Sequence, residues 1–492
     1  MDSFVRKYNV HARGISAIGS YLPSIRVEKA EIYRAHAWAL PGLKSKSRGW
    51  RSAARWDEDV VTMAVEAARN ATLTMGRERI NGLSLASTSH PFKDRSSATI
   101  ASAALNLPAT VFTTDQGASR RAGTSALLKS LLENSPGQHL VIAAEKRIAQ
   151  AGSWAEISWG DGAAALVTDD ENQIAQLTGW HSHHEDCVDF YWADGFTPYQ
   201  GEERWIKETM LQSQVVPTVQ AALEKANASP ADVDWAILCD PVPGCEKQLL
   251  RSLKLENATP ITQQLLSEVG DLGAALPLAG LCMAIEKAEV GDTILVTGFG
   301  NGCDALVFKM LQAVDNGGNA IESQVTNKRP IGYTAFATSR NIIDLDYGPR
   351  AERIDKTALS VHERLRKDIT AFIGGKTTAE GAVQFPKTAI AANGSFSTET
   401  GYIDVCLADL EATVVSITTD HLSYCPDPPF YFGLVEFENG ARLPMEFADL
   451  PTQALAVGDT VRMAFRIKSI DKARGYRHYF WKATAVNAGG TA

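Results

Sequence analysis

The sequence predicts an α/β protein that repeats one arrangement of helices and strands and then ends in a small all-β domain. Residues 57–168 and 215–308 both read as a helix, a buried strand, a strand–turn–helix unit and two further strands. Their strands are short, continuous apolar runs, which are typical of strands covered on both faces. After about residue 358 the pattern becomes alternating apolar and polar residues, with turns about every 10 to 15 residues, as in a small barrel.

The first repeat begins with the helical pattern of 57–73, followed by a buried strand at 80–88. A strand–turn–helix unit comes next at 109–133, and two strands follow at 139–145 and 160–168. The second repeat has the same plan, in 215–229, 233–240, 258–287, 292–302 and 304–308. Ser119 and Asp271 lie at corresponding turns, about 152 residues apart. An internal duplication explains this most simply, and the alternation common to any α/β chain is the other explanation.

The length of 492 residues exceeds one ordinary domain. We expect two α/β halves, at 1–170 and 171–345, and a C-terminal domain at 346–492. The second half ends in a polar, Gly-rich stretch at 313–345 that predicts a linker or crossover. A charged helix at 358–372 precedes the β pattern.

Composition excludes several classes of protein. The net charge of −9 disfavours general nucleic-acid binding, which needs a basic surface. No apolar run reaches 18 residues, so no membrane helix is expected. The opening MDSFVRKYNVHARG lacks a hydrophobic segment and predicts no signal peptide. The seven cysteines are scattered, which fits reduced thiols in the cytoplasm.

Six motifs in order carry a resemblance over roughly the first 310 residues. They are GISAIGSYLPSIRV, WDEDVVTMAVEAARNA, DQGASRRAGTSAL, WGDGAAAL, GDLGAALPLAG and GFGNG. This part resembles the thiolase superfamily, nearest the HMG-CoA synthase and type III ketoacyl synthase branch. The resemblance implies a duplicated five-layer α-β-α-β-α fold, a homodimer, and a coenzyme A (CoA) or acyl-carrier thioester as substrate, with no tightly bound cofactor.

The segment RLRKDITAFIGGKTTAEGAVQFPKTAIAANGS resembles the start of the OB-fold family that accompanies thiolase-like acyl-CoA enzymes. In that family a ribbon with four zinc-binding cysteines precedes the barrel. Here Thr377, Glu380, Ala391 and Gly394 occupy those positions, and none is a good zinc ligand. We therefore expect no zinc. OB folds also bind single-stranded nucleic acid, but linkage to a thiolase-like domain favours a role beside the substrate channel.

The resemblance also implies a site whose residue types have changed. The family's nucleophilic cysteine corresponds to Ser119, and serine is far harder to ionise than cysteine. The family's histidine corresponds to Asp240 and the ketoacyl synthase asparagine to Asp271. His90 lies near the strand end where HMG-CoA synthase has a glutamate.

Three functions remain open. In the first, aldol or retro-aldol chemistry proceeds without an acyl-enzyme. Backbone N–H groups at Ser119 and near Gly300 form an oxyanion hole, and Asp240, Asp271, His90 or a tyrosine moves the proton. In the second, Ser119 is acylated, as in an acyltransferase or thioesterase. In the third, the chain is a non-catalytic acyl-CoA-binding scaffold for a separate catalytic subunit.

Two polar stretches have alternative interpretations. Within 44–56, the basic and aromatic residues Arg48, Trp50 and Arg51 form either a clamp for CoA phosphates and adenine or an exposed loop. The stretch HSHHEDCVD (181–189) predicts a solvated loop, with a metal site as the alternative.

Overall fold

The computed structural model describes residues 13–133, 136–193, 196–314, 319–351, 356, 358–377, 381–391, 394, 401–450 and 455–486. It contains a ten-stranded mixed sheet with helices against it, followed by a separate five-stranded antiparallel sheet. The predicted fold class, an α/β region followed by an all-β domain, is confirmed. Glu380 of the ribbon lies outside the described residues.

The strands are numbered in chain order. In the α/β part they are β1 (Gly14–Tyr21), β2 (Ile25–Glu28), β3 (Trp50–Ser52), β4 (Ile80–Ala86), β5 (Phe112–Gln116), β6 (Gln138–Glu145), β7 (Gly162–Asp169), β8 (Ala175–His184), β9 (Phe190–Tyr191), β10 (Tyr199–Gln200), β11 (Trp235–Ile237), β12 (Thr259–Pro260), β13 (Thr293–Phe299), β14 (Gly302–Met310) and β15 (Arg329–Pro330). The C-terminal strands are β16 (Ile373–Lys376), β17 (Val383–Gln384), β18 (Ile403–Cys406), β19 (Ala412–Asp420), β20 (Phe430–Phe437), β21 (Arg442–Glu446), β22 (Thr460–Asp471) and β23 (Tyr476–Ala485).

The helices are α1 (Lys29–His36), α2 (Val60–Ala71), α3 (Ser97–Ala104), α4 (Ala122–Leu132), α5 (Trp154–Ser158), α6 (Glu203–Trp205), α7 (Val216–Lys225), α8 (Cys245–Ser252), α9 (Thr262–Glu268), α10 (Leu276–Lys287), α11 (Ile321–Thr326), α12 (Tyr333–Ser339), α13 (Leu359–Arg364) and α14 (Arg366–Ala371). A π-helical segment, Ile206–Val215, continues α6 into α7. The side chain of Asp59 accepts the N–H groups of Val61 and Thr62 and so fixes the start of α2.

The order of the large sheet shows the duplication. From one edge it runs β12-β11-β13-β14-β8, and from the other edge β5-β4-β6-β7-β1, so the two halves are mirror-ordered and meet at β1 and β8. Strands β4 and β11 each pair in parallel with two neighbours, and the remaining pairs are antiparallel. Helices α4 and α10 contact strands of both halves, whereas α2 and α7 cover the outer faces. This gives the expected five layers.

The C-terminal strands form a curved sheet in the order β21-β20-β19-β22-β23. A bridge between Phe447 and Ala483 brings its two edges together, as a barrel requires. The predicted charged helix is two short helices, α13 and α14. The stretch 319–345 is not a free linker, because β15 pairs with β2 and α12 packs against α1. The domain limits at 170 and 345 stay predictions.

The barrel docks onto the start of α2 through buried ion pairs. The motif WDEDVVTMAVEA supplies four acids, each at most 3% exposed, and the barrel supplies a cation to each. The pairs are Asp57–Lys482 (2.9 Å), Glu58–Arg466 (3.4 Å), Asp59–Arg477 (2.6 Å) and Glu66–Arg462 (2.8 Å). One apolar core also continues from α2 and α3 into the barrel. The two parts are therefore packed as one body.

All seven cysteines carry free thiols. Across the part of the chain that the structure describes, no helix is long and apolar enough to cross a membrane.

Candidate active site

Ser119 lies in the turn between β5 and α4, beyond the carboxyl end of a strand. The preceding residue, Ala118, has a φ of +64°, a left-handed conformation that a non-glycine residue adopts at a cost of about 1–2 kcal/mol. The Ser119 hydroxyl donates to the carbonyl oxygen of Gly300 at 2.9 Å, and it accepts the N–H of Arg121 at 3.3 Å. Among the described residues, no imidazole or carboxylate hydrogen-bonds to it. The serine proton is therefore held by a carbonyl group, not by a base.

The role expected of Gly300 needs correction. Its N–H, proposed for the oxyanion hole, already donates to the carbonyl of Gly302 at 3.0 Å. Its carbonyl faces the Ser119 hydroxyl. A Cβ at this position would lie 2.8 Å from Ser119 Oγ, so the close approach of the two segments needs a glycine. Gly300 therefore acts as an acceptor for Ser119 and is not free to donate to a substrate oxygen.

Arg120, next to Ser119, forms an ion pair with Asp271 on the corresponding turn of the second half. Arg147 approaches the same carboxylate at 3.4 Å and donates to the Asp271 carbonyl at 2.5 Å. The N–H of Gly273 donates to Asp271 Oδ1 at 2.8 Å. The Arg147 guanidinium also lies 4.3 Å from the centre of the Trp159 ring. The sequence motifs pointed to Asp271 but not to either arginine.

This environment fixes Asp271 as a carboxylate. Burial would raise its pKa, but the charges of Arg120 and Arg147 outweigh burial and hold the pKa of Asp271 at about 2. A group that stays ionised at neutral pH cannot donate a proton and is a weak base. Its predicted role as a proton-transfer group is therefore not favoured, and the geometry gives it the role of neutralising the two arginines.

Asp240 lies in the same cavity as Arg120 and Asp271. The cavity holds about 40 Å³ and is otherwise lined mainly by apolar side chains and by two threonines. Asp240 Oδ1 accepts the N–H of Glu246 at 3.0 Å, and Oδ2 accepts Nε2 of Gln263 at 2.6 Å. Burial raises the pKa of Asp240, and these hydrogen bonds reduce the shift only in part. The structure thus brings Asp240 and Asp271 into one cavity, where the pKa of Asp240 is raised and that of Asp271 is lowered.

Cys239, beside Asp240, also lines the cavity. Burial raises the pKa of its thiol far above the usual range, so it stays a neutral thiol.

His90 is near the turn but outside this cavity. Its Nδ1 lies 3.1 Å from the Ser97 hydroxyl, and a Cβ at Gly117 would be 3.8 Å from its ring. Its Nε2 is buried and has no hydrogen-bond partner among the residues described. It forms no hydrogen bond with Ser119, whose hydroxyl donates to Gly300 instead.

Two further acids were not identified from the sequence. Glu145, at the end of β6 and fully buried, accepts hydrogen bonds from Thr88 N–H at 2.9 Å and Ser89 Oγ at 2.6 Å. It thus fixes the loop after β4. Asp189 is 3% exposed, and burial raises its pKa although Arg120 is near enough to lower it. In the sequence, these two acids are indicated only by the polar residues that follow buried strands, at the edge of the sheet where the site forms.

Only part of the stretch 181–189 is the solvated loop that was expected, since residues 185–188 are irregular and mostly exposed. Residues 181–184 belong to β8 and pair with β14. Among the residues in view, no group of three or more His, Cys, Asp or Glu side chains is placed to hold a metal ion. At the ribbon positions, Thr377 and Ala391 are buried and Gly394 closes a turn onto Ala391. The expectation about zinc stays a prediction.

The three residues of the expected CoA clamp do not face one way. Arg48 is exposed and Trp50 is half-buried, with Lys328 Nζ 5.5 Å from its ring centre. Arg51 is 1% exposed, because alternate residues of β3 point to opposite faces, and it donates to the carbonyl of Glu156. Arg51 is therefore a core residue and cannot meet a CoA phosphate at the surface.

Comparison with known proteins matches both parts of the chain. Residues 405–466 match the family of the ChsH2 C-terminal OB-fold domain. The chain is 28% identical over 362 residues to the hydroxymethylglutaryl-CoA synthase of Aeropyrum pernix, spanning 72% of this chain and 97% of that protein.

Two solved structures share the fold. The HMG synthase of the curacin biosynthetic pathway, in complex with an acetyl donor acyl carrier protein, aligns with a TM-score of 0.55 at 18% identity, over 67% of this chain and 88% of its own. The 3-oxoacyl-[acyl-carrier-protein] synthase III of Aquifex aeolicus aligns with a TM-score of 0.53 at 21% identity, over 60% and 99%. The first part of the chain thus has the fold of these synthases, and a segment of its C-terminal part matches an OB-fold family.

Proposed function

We propose that this protein acts on thioesters of CoA or of an acyl carrier, and that it makes or breaks the carbon–carbon bond next to the thioester carbonyl without forming an acyl-enzyme. The observation that carries this proposal is that the Ser119 hydroxyl has no base beside it among the described residues, whereas a partly buried acid lies nearby. Ser119 gives its proton to a carbonyl oxygen, whereas Asp240 lies in the adjoining cavity with a raised pKa.

The chemistry in the retro-aldol direction needs one base and one stabiliser of negative charge. Asp240 takes the proton from the β-hydroxyl group of the substrate. The carbon–carbon bond between Cα and Cβ then breaks, a carbonyl compound leaves, and the electron pair forms an enolate of the thioester. The same proton returns from Asp240 to Cα. The condensation runs through these steps in reverse.

Arg120 is the donor best placed to stabilise the enolate. Its guanidinium lines the cavity and is always charged. With the Gly300 N–H engaged, Arg120 takes over part of the role expected of the oxyanion hole, together with the backbone N–H of Ser119. Asp271 holds Arg120 in place from the other side.

The substrate class rests on the relatives. Their names specify CoA or acyl-carrier substrates. The exposed side chains of Arg48 and Lys44 provide positive charges at the surface that can bind phosphate groups. A homodimer and a location in the cytoplasm are also proposals, and so is the separate catalytic subunit that the scaffold hypothesis requires. No tightly bound cofactor is proposed.

The scaffold hypothesis is the second candidate, and the size of the cavity favours it. A volume of about 40 Å³ accommodates about three water molecules, and the Arg120–Asp271 ion pair occupies its wall. A scaffold would bind acyl-CoA, leave it unchanged, and be indifferent to loss of Asp240.

The test is product analysis by mass spectrometry, with a panel of β-hydroxyacyl-CoA thioesters, of the wild type, Asp240→Asn and Asp186→Asn. Asp186 is an exposed acid away from the cavity and serves as the matched control. We expect carbon–carbon cleavage by the wild type and the control and a loss of at least about 100-fold in Asp240→Asn, the usual contribution of a general base. Cleavage that is equal in all three would reject Asp240 as the base. CoA binding without cleavage would favour the scaffold.

A further inference from the structure

A buried acid, Glu246, is hydrogen-bonded through its backbone to Asp240. Glu246 is in the first turn of α8 and is 2% exposed. Its Oε1 accepts the N–H of Thr262 at 3.1 Å, and its own N–H donates to Asp240 Oδ1 at 3.0 Å. The backbone of Glu246 is thus tied to Asp240, which lines the cavity, and Thr262, which holds the Glu246 carboxylate, lines it as well.

Neither acid has a cation to balance it. Within the described ranges, no lysine, arginine or histidine forms an ion pair with Asp240 or Glu246. The titratable groups around them are the thiols of Cys239 and Cys245, Glu203 and Lys207 on the helix that faces Cys245, and the Arg120–Asp271 pair across the cavity. Arg120 is already neutralised by Asp271. The arrangement differs from that at Asp271, which has two guanidinium groups.

Two negative charges are costly in such a place. Desolvation disfavours each carboxylate, and each disfavours the other at short range. Burial, reinforced by the neighbouring Asp240, raises the pKa of Glu246 to about 7. Near neutral pH the buried Glu246, which has no ion-pair partner among the described residues, therefore tends to keep its proton.

We propose that Glu246 is a positioning residue that holds this proton beside Asp240, leaves Asp240 ionised as the base of the cavity, and limits activity at alkaline pH. The inference rests on the function proposed above. With Glu246 protonated, the cavity carries one negative charge before the reaction and accommodates the enolate while Asp240 is protonated. Once Glu246 loses its proton, a second negative charge opposes the enolate.

The first measurement is a carboxyl titration by NMR with ¹³C-labelled glutamate side chains. The proteins are the wild type, Glu246→Gln, Asp240→Asn and Glu224→Gln, whose substituted residue is an exposed glutamate on α7. We expect the Glu246 carboxyl group to titrate about two and a half pH units above the usual range. Its signal should be absent in Glu246→Gln and unchanged in Glu224→Gln. It should titrate lower, by about one unit, in Asp240→Asn, because the like charge is gone.

The inference would be overturned if Glu246 titrated in the ordinary range. It would also be overturned if Asp240→Asn, in a normally folded variant, left the titration of Glu246 unchanged. Thermal unfolding of each variant provides the check on folding.

The second measurement is the pH profile of thioester cleavage. The wild type should lose activity above about pH 7, and Glu246→Gln should keep it, so that the variant is roughly tenfold more active than the wild type at pH 9. Equal profiles would reject the positioning role while leaving the proposed function intact. If the wild type cleaves no thioester but the titration is as expected, the proposed function fails, whereas the retention of a proton by Glu246 at neutral pH is confirmed.

Discussion

The Ser119 hydroxyl donates its hydrogen to the Gly300 carbonyl, 2.9 Å away. An alcohol needs a base to take its proton before it can act as a nucleophile. A carbonyl oxygen is too weak a base for this, so the hydrogen bond leaves Ser119 as an unactivated hydroxyl group. It also ties the turn before α4, in the first half, to the loop between β13 and β14, in the second half.

The first prediction concerns Ser119 itself. Ser119→Ala should keep cleavage activity within about threefold of the wild type, since a neutral hydrogen bond contributes only about 1 kcal/mol. Steady-state rates with the β-hydroxyacyl-CoA panel test this. A loss of about 1000-fold in a folded variant would instead mean that the serine takes part in the chemistry.

The second prediction concerns the ion pair between the turns. The pKa of Asp271 is lowered to about 2, so its stabilising effect is complete above about pH 4 and is lost as the pH falls toward 2. Asp271→Asn should lower the free energy of unfolding by about 2–3 kcal/mol at pH 7, and the deficit should shrink at pH 3. Urea unfolding at both pH values measures it, with Asp186→Asn as the control. A deficit independent of pH would contradict the account.

The third prediction concerns the contact between the barrel and α2. Lys482→Met leaves Asp57 buried without its partner, and should cost about 3–5 kcal/mol. Arg366→Met removes an exposed pair with Glu363 and should cost less than about 1 kcal/mol. Denaturant unfolding of both variants compares the two. Similar small losses would mean that the barrel does not depend on this ion pair.

The fourth prediction concerns the surface near Trp50. Arg48→Ala should weaken CoA binding by about three- to tenfold, more at low salt than at high salt, because an exposed cation acts on phosphate through a screened charge. Lys472→Ala, an exposed cation on the barrel, should leave binding unchanged. Calorimetry at two salt concentrations measures both. Unchanged binding in Arg48→Ala would place the phosphate site elsewhere.

The sequence predicted the fold well because burial leaves a direct pattern in the residues. The apolar runs at 80–88 and 233–240 became β4 and β11, which occupy equivalent places in the mirror-ordered sheet. Ser119 and Asp271 were paired by spacing alone, and the structure places them at equivalent turns. Period-2 patterning likewise located β19 to β23.

The site was predicted only in part, because its contacts join distant segments. The motif containing Ser119 also contains Arg120, but the carboxylate that pairs with Arg120 is 151 residues away. The basic stretch around Arg51 does not reveal which side of β3 each side chain faces. Glu246 lies in a helix with no motif, and only its burial beside Asp240 makes it notable.

The most direct test of the central claim is one incubation of the wild type and Ser119→Ala with a β-hydroxyacyl-CoA that the wild type cleaves, followed by intact-protein mass and product analysis. The account predicts cleavage products from both proteins and no mass gain in either. An acyl mass on the wild type that is absent from Ser119→Ala, together with loss of cleavage in that variant, would contradict it and assign the chemistry to an acyl-enzyme on Ser119.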